Sequence, residues 1–155
     1  MRLVKASEAQ KLTGLSADQL REWTTRRGLI EPDSKPNGPG SRARYSWQTV
    51  LLLRLAVVLK DSFHIELHAQ RTLFSTLAER LAKTSFPALR ESALVIGPDG
   101  IFSILPVKEL RSPASDVLMI LLDPHLDILS TEFGLIEPIR QLPLFPARVV
   151  GSLPQ

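Results

Sequence analysis

Apolar positions in the first part of the chain recur at helical spacing. Over residues 6–13, Ala9 and Leu12 stand three apart and predict a short helix that starts near Ala6 or Ser7. Gly14 follows where a glycine commonly ends a helix. Leu15 then packs, and Ser16 opens a second helix over 17–26. Gln19 lies three residues after that serine, the spacing of a capping box, and Leu20 and Trp23 share the inner face. Gly28 ends this helix. Helix, glycine-containing turn and helix within about 20 residues is the helix-turn-helix pattern.

Residues 31–45 carry three prolines and two glycines, which forbid a helix. Leu29-Ile30 and Ala43-Arg44-Tyr45 are expected to pair as two short strands around a loop, making a wing that carries Lys35, Arg42 and Arg44. Ser46 caps a third helix over 47–60. That helix is apolar nearly all round, so it must be covered on more than one side. Asp61-Ser62 breaks it, and a fourth helix follows over 65–83. There Leu67, Phe74 and Leu81 recur every seven residues with Leu77 between them. This stripe is a candidate dimerisation surface that could pack against a second copy of the chain.

The pattern changes near Ser85-Phe86-Pro87. Nine of the 12 prolines lie from Pro87 onward. Ser92-Ala93-Leu94-Val95-Ile96 and Ile101-Phe102-Ser103-Ile104-Leu105 flank Gly97-Pro98-Asp99-Gly100 and predict a hairpin. The run 117–122 is a strand or a buried helix, and Pro124 begins a short helix to about Phe133. The last 18 residues, 138–155, hold four prolines and are expected to extend along a surface. The boundary gives two domains, 1–85 and 86–155. The fold class is α+β: a mostly helical winged helix-turn-helix, then a small α/β module containing a β-hairpin, for dimerisation or partner binding. So small a module buries little core alone. It should therefore dimerise, pack on the third and fourth helices, or bind a partner.

Charge divides at the same place. Residues 1–90 carry 15 Lys+Arg against 8 Asp+Glu, net +7, and residues 91–155 carry 4 against 8, net −4, giving the chain's +3. A basic half joined to an acidic half points to a polyanion-binding domain followed by a part of some other role. The absence of cysteine excludes disulfides, thiolate zinc sites, iron–sulfur ligation and cysteine nucleophiles. No apolar run reaches the length of a membrane span, and the N-terminus lacks signal-peptide features. The expected location is the cytoplasm, with no membrane association.

Residues 4–30 resemble the winged helix-turn-helix of MerR-type transcription regulators. The resemblance is carried by Thr13-Gly14-Leu15-Ser16, Leu20-Arg21-Glu22-Trp23-Thr24, Gly28-Leu29-Ile30 and Pro32, and by Arg42-Ala43-Arg44-Tyr45-Ser46 at the wing's end. Asp61-Ser62-Phe63-His64-Ile65 is loosely similar to the family's Gly-Phe-Ser junction, so the likeness covers about residues 3–83. It departs from the pattern where Glu22 replaces the first residue of an aromatic pair and where Ala43 replaces a wing arginine. The family's long antiparallel dimer helix is not evident. The resemblance implies a bacterial DNA-binding regulator.

The residues themselves suit DNA. A helix enters the major groove with its N-terminal residues facing base edges. On the second helix the exposed positions are Ala17, Asp18, Arg21, Glu22, Thr25 and Arg26. Arg21 is the best reader of a guanine edge or grip on a phosphate. Glu22 could accept from a cytosine amino group or orient Arg21 and Arg26. Ser16 and its neighbouring amides offer a phosphate seat. Lys35, Arg42 and Arg44, with Tyr45 at the wing's end, complete the DNA-contacting set.

Other groupings weigh less. His64 and His68 lack a third ligand, so no metal and no cofactor are expected. Asp123-Pro124-His125-Leu126-Asp127 lacks a catalytic framework, and no enzymatic activity is expected. Trp23 and Trp47 fit core positions better than base stacking. The expected function is sequence-specific DNA binding by a homodimeric transcription regulator, with double-stranded DNA as partner and a possible protein partner at the acidic half. Two alternatives stand beside it. One is a phage-type accessory protein, an excisionase or small terminase subunit; the other is an adaptor that has lost DNA binding, favoured by Asp18 and Glu22.

Overall fold

The computed structural model of the chain describes residues 1–110 and 115–135. Strand β1 (Val4–Lys5) leads into helix α1 (Ala6–Thr13), where the Glu8 carboxylate accepts from the Lys5 amide at 2.8 Å. Gly14, at φ 76°, turns the chain in the left-handed region that a Cβ disfavours. Ser16 then opens α2 (Ala17–Arg21) through a complete capping box. Its hydroxyl accepts from the Gln19 amide and the Gln19 side-chain oxygen accepts from the Ser16 amide, both at 3.1 Å. The helix continues as one π-helical turn over Glu22–Arg26. There the Thr24 hydroxyl donates to the Leu20 carbonyl at 2.7 Å, a local bond that competes with the regular backbone ladder.

Leu29 and Ile30 form no strand. Their amides return to the Trp23 carbonyl at 2.9 and 3.2 Å, so they close the preceding helix and have no donor left for a ladder. The wing's returning arm, β2 (Arg44–Tyr45), pairs instead with β1, Val4 opposite Tyr45 and Lys5 opposite Arg44. A bridge between Ser34 and Arg44 joins the two arms of the wing.

Helix α3 (Trp47–Val57) is the axis of the molecule and runs on through a π-helical turn, Val58–Ser62. Val50, Leu51, Leu52, Leu53, Leu55 and Ala56 are all buried. Such a circumference needs cover on several sides, and α1, α4 (Arg71–Ala82) and α5 (Asp123–Phe133) provide it. The fourth helix starts later than its apolar spacing predicts. His64 takes φ 54°, and the chain re-enters through a 3₁₀ turn, Leu67–Gln70. Leu67, Phe74, Leu77 and Leu81 are 6, 1, 1 and 1% exposed. The stripe proposed for a second copy thus faces the chain's own core, because α3 has to be covered within the monomer.

The C-terminal part is a three-stranded antiparallel sheet in the order β4-β3-β5, with β3 (Ser92–Ile96), β4 (Phe102–Pro106) and β5 (Leu118–Leu121). The predicted turn is present: the Gly97 amide bonds the Ile101 carbonyl at 2.9 Å, and the Asp99 carboxylate accepts from the Ile101 amide at 3.0 Å. Alternation along the strands sends Leu94, Ile96, Phe102, Ile104, Leu118 and Ile120 to the core, and Leu105, Met119 and Leu121 outward. Leu94, Ile120, Leu122, Leu126, Leu129 and Phe133 join the same hydrophobic cluster as the α3 leucines. Trp47 and Phe86 meet edge to face at 5.1 Å. One core therefore spans the change in chain chemistry at residue 85. Of the three options for the acidic half, packing on the helices is the one observed. Residues 138–155, expected to extend along a surface, lie outside the described residues.

A polar joint accompanies this docking. The half-buried Arg54 of α3 donates through Nε to Nδ1 of His125 on α5 at 3.1 Å. Burial, and secondarily the Arg54 charge, pushes His125 down to about 4. The folded pKa lies below the unfolded value of 6.5, so unfolded chains take up the proton first. Stability is therefore complete above about pH 6.5 and falls as pH drops towards 4. We expect a loss of about 1–2 kcal/mol over that interval, discounted for the partial exposure of the imidazole. Urea unfolding at pH 7 and pH 4.5 measures it, and His125→Asn should lose most of the difference.

Candidate nucleic-acid interface

The capping box at Ser16 fixes where the recognition helix begins, and so fixes which side chains precede and follow its first turn. A Ser-to-Ala change at such a cap costs about 1 kcal/mol. Ser16, Ala17, Asp18, Arg21, Thr25 and Arg26 are exposed, and Glu22 is half-buried. Leu20 and Trp23 are buried beneath them, and the Lys60 ammonium lies 5.5 Å above the Trp23 ring. The inner and outer faces of this helix therefore fall as the sequence places them. Trp47 is likewise buried.

The carboxylates on this face hold arginines. Asp18 pairs with Arg21 at 3.9 Å, and Glu22 pairs with Arg26 at 3.6 Å and with Arg27. Glu22 thus orients Arg26, as the sequence suggests, but its second partner is Arg27 and not Arg21. Exposed pairs of this kind contribute about 0–1 kcal/mol. Exchanging such a carboxylate for a phosphate therefore sacrifices little, while the arginine gains the counterion-release term of DNA binding.

The wing is braced from its base. The Asp33 amide and the Ser34 amide both reach the Arg44 carbonyl, at 3.0 and 3.3 Å, and the Arg44 amide returns to the Ser34 carbonyl at 3.0 Å. At the tip the Ser41 hydroxyl accepts from the Asn37 amide. Lys35 is exposed and pairs with Glu31 at 3.2 Å, and Arg42 is exposed. Among the described residues, neither Arg42 nor Arg44 makes an ion pair. Tyr45 is the exception among the residues expected to contact DNA. It is 2% exposed, opposite Val4 in the strand pair, so its ring belongs to the core and cannot meet a groove wall.

Two structural contributors escape sequence reasoning. The Asp33 carboxylate accepts from the Ser46 amide at 2.6 Å and from the Thr49 hydroxyl at 2.7 Å, which ties the wing's first arm to the N-terminus of α3. Its partners lie 13 and 16 residues away, beyond any local capping signature. Arg27 touches His68, and Arg71 donates to the Arg27 carbonyl at 2.8 Å, so the end of the recognition helix is fastened to the start of α4. Asp33→Ala should cost about 1–3 kcal/mol, because it leaves the buried Ser46 amide without an acceptor and the Thr49 hydroxyl with only the Ser46 hydroxyl as partner. Denaturant unfolding checks this, and an unchanged midpoint at unchanged slope would contradict it.

His64 and His68 do not converge as ligands. Among the described residues, no group of three or more His, Cys, Asp or Glu side chains is placed to hold a metal ion. No helix among them is long and apolar enough to cross a membrane.

Residues 4–75 fit the family profile described as MerR HTH family regulatory protein, just under half of the chain, from β1 into α4. No curated protein matches the chain. The strand pair, the capped helix-turn-helix, the wing and the family profile coincide on the same residues. The N-terminal part of this chain, residues 4–75, thus matches the MerR-type helix-turn-helix family of regulatory proteins in both sequence profile and fold.

Proposed function

We propose that the protein is a sequence-specific, DNA-binding transcription regulator that acts as a cytoplasmic homodimer and catalyses no reaction. The observation that carries this reading is the surface of α2 within a matched MerR-type domain: Arg21 and Arg26 exposed and oriented by carboxylates, on a helix whose start is fixed by Ser16. In this reading the start of α2 lies in the major groove. Arg21 takes a guanine edge or a flanking phosphate, and Asp18 and Thr25 lie over neighbouring bases. Lys35, Arg42 and Arg44 reach phosphates beside the groove. A two-fold dimer would place two such helices on half-sites one helical turn apart. Its contacts come from outside the buried α4 stripe.

Sedimentation of the purified protein, alone and with a duplex recovered from its host's genomic DNA, tests the stoichiometry. Two chains alone and two per bound duplex are expected. A closed ring of many chains would favour the packaging-type alternative. A protein that binds no duplex would favour the adaptor, since Asp18 and Glu22 would then serve a protein surface.

A further inference from the structure

Arg54 is the one charged residue of α3 and interrupts its apolar run, flanked by Leu53 and Leu55, which are 0 and 1% exposed. Its guanidinium is half-buried and meets two partners from distant parts of the chain. Nη1 donates to the carbonyl of Leu12 in the last turn of α1. Nε donates to Nδ1 of His125 in the first turn of α5. The Leu12 carbonyl is one of the terminal carbonyls that a helix cannot satisfy internally, so Arg54 acts as a C-terminal cap on α1. Immediately after it come Thr13 and the turn. The Thr13 hydroxyl donates to the Ala9 carbonyl at 2.7 Å and accepts from the Leu15 amide at 3.3 Å. Ser16 then caps the recognition helix. A short, fully bonded path thus leads from α5 to the first exposed residues of α2.

We propose that Arg54 and His125 form a joint through which α5 sets the position of the helix-turn-helix turn, making His125 a positioning residue for DNA binding from outside the matched domain. The proposal rests on the DNA-binding reading above. His125 works only as an acceptor at Nδ1, so its ring carries its proton on Nε2. Burial and the facing guanidinium keep it neutral throughout the ordinary pH range. With no acceptor there, Arg54 has one partner instead of two and its hold on the Leu12 carbonyl loosens. The end of α1 and the turn beyond it then lose their fixed position relative to α3.

The test uses the full chain and four variants. His125→Phe keeps an aromatic ring and removes the acceptor; His125→Asn keeps an acceptor; Arg54→Ala/His125→Phe completes a cycle with Arg54→Ala. Affinity for a labelled duplex selected from genomic DNA, measured well below the unfolding transition, should fall about three- to thirtyfold in His125→Phe. His125→Asn should recover most of it. The double variant should bind no worse than Arg54→Ala alone, because both changes break one joint. The amide resonances of Leu15 and Ser16 should shift in His125→Phe and return towards the wild type in His125→Asn. A role confined to stability would lower the melting temperature while leaving affinity and those resonances unmoved, and that result overturns the proposal. If no duplex is bound even by the wild type, the DNA-binding reading fails. The joint is then judged by the resonances, which still shift if it exists and stay in place if it does not.

Discussion

Arg21→Ala/Arg44→Ala should lower DNA affinity roughly a hundredfold and reduce the salt dependence of binding by about two charges if both side chains reach phosphates. Arg21 stands at the end of α2, held by Asp18 alone and only at 3.9 Å. Arg44 is anchored by its backbone to both Val4-Lys5 and Ser34, while its guanidinium has no ionic partner among the described residues. Neither side chain supports the core, so the folded state should change by no more than about 0.5 kcal/mol. Affinity and stability thus separate cleanly. Fluorescence anisotropy over a series of salt concentrations gives both the loss and the slope. If Arg21 reads a guanine, its single replacement should also relax sequence preference at one position, by about 1–3 kcal/mol. Unchanged affinity and slope would remove both residues from the interface.

Phe74→Ala is expected to be the most damaging single change to the fold. Phe74 is 1% exposed on α4, in the cluster built around α3. Truncation of such a side chain costs about 3–5 kcal/mol, through lost burial and the cavity left behind. Against a total of about 5–15 kcal/mol, that is a large fraction. Because one cluster includes residues from both sides of residue 85, the loss should appear in one cooperative transition. Both tryptophans, Trp23 and Trp47, lie on the N-terminal side and report it by fluorescence. Far-UV circular dichroism reports the sheet and α5 as well. Coincident urea transitions, both shifted in the variant, are expected. Two separate transitions, with only one moved, would mean that the halves unfold independently.

Much of the DNA-facing half is legible in the sequence because its signals are local. The Ser16–Gln19 capping box, Gly14 and Gly28 fix the helix-turn-helix within a few residues, and Ser46 fixes the start of α3. The wing is less legible. Arg44-Tyr45 has the look of a strand, but its partner is Val4-Lys5, about 40 residues earlier, and no window along the chain joins the two. Leu29-Ile30 is apolar because it is buried, while its amides complete a helix end. Tyr45 fails as a DNA contact for the same reason: alternation along β2 sends Arg44 one way and Tyr45 the other. The heptad stripe on α4 correctly marks an apolar face. Periodicity does not say whose surface that face meets. The answer was in α3, whose apolar circumference needs cover inside the same chain. Arg54 breaks that circumference, and its partners Leu12 and His125 lie 42 and 71 residues away. A link of that kind is visible only once the chain has folded.

In the proposed function, residues 4–75 read a DNA sequence on behalf of the whole protein. The most direct measurement is to incubate the protein with fragmented genomic DNA from its host and to recover and sequence what it holds. Arg21→Ala/Arg44→Ala serves as the control. A sharp motif arranged as an inverted repeat, absent from the control, is expected. Diffuse recovery, identical for the protein and its variant, would contradict it.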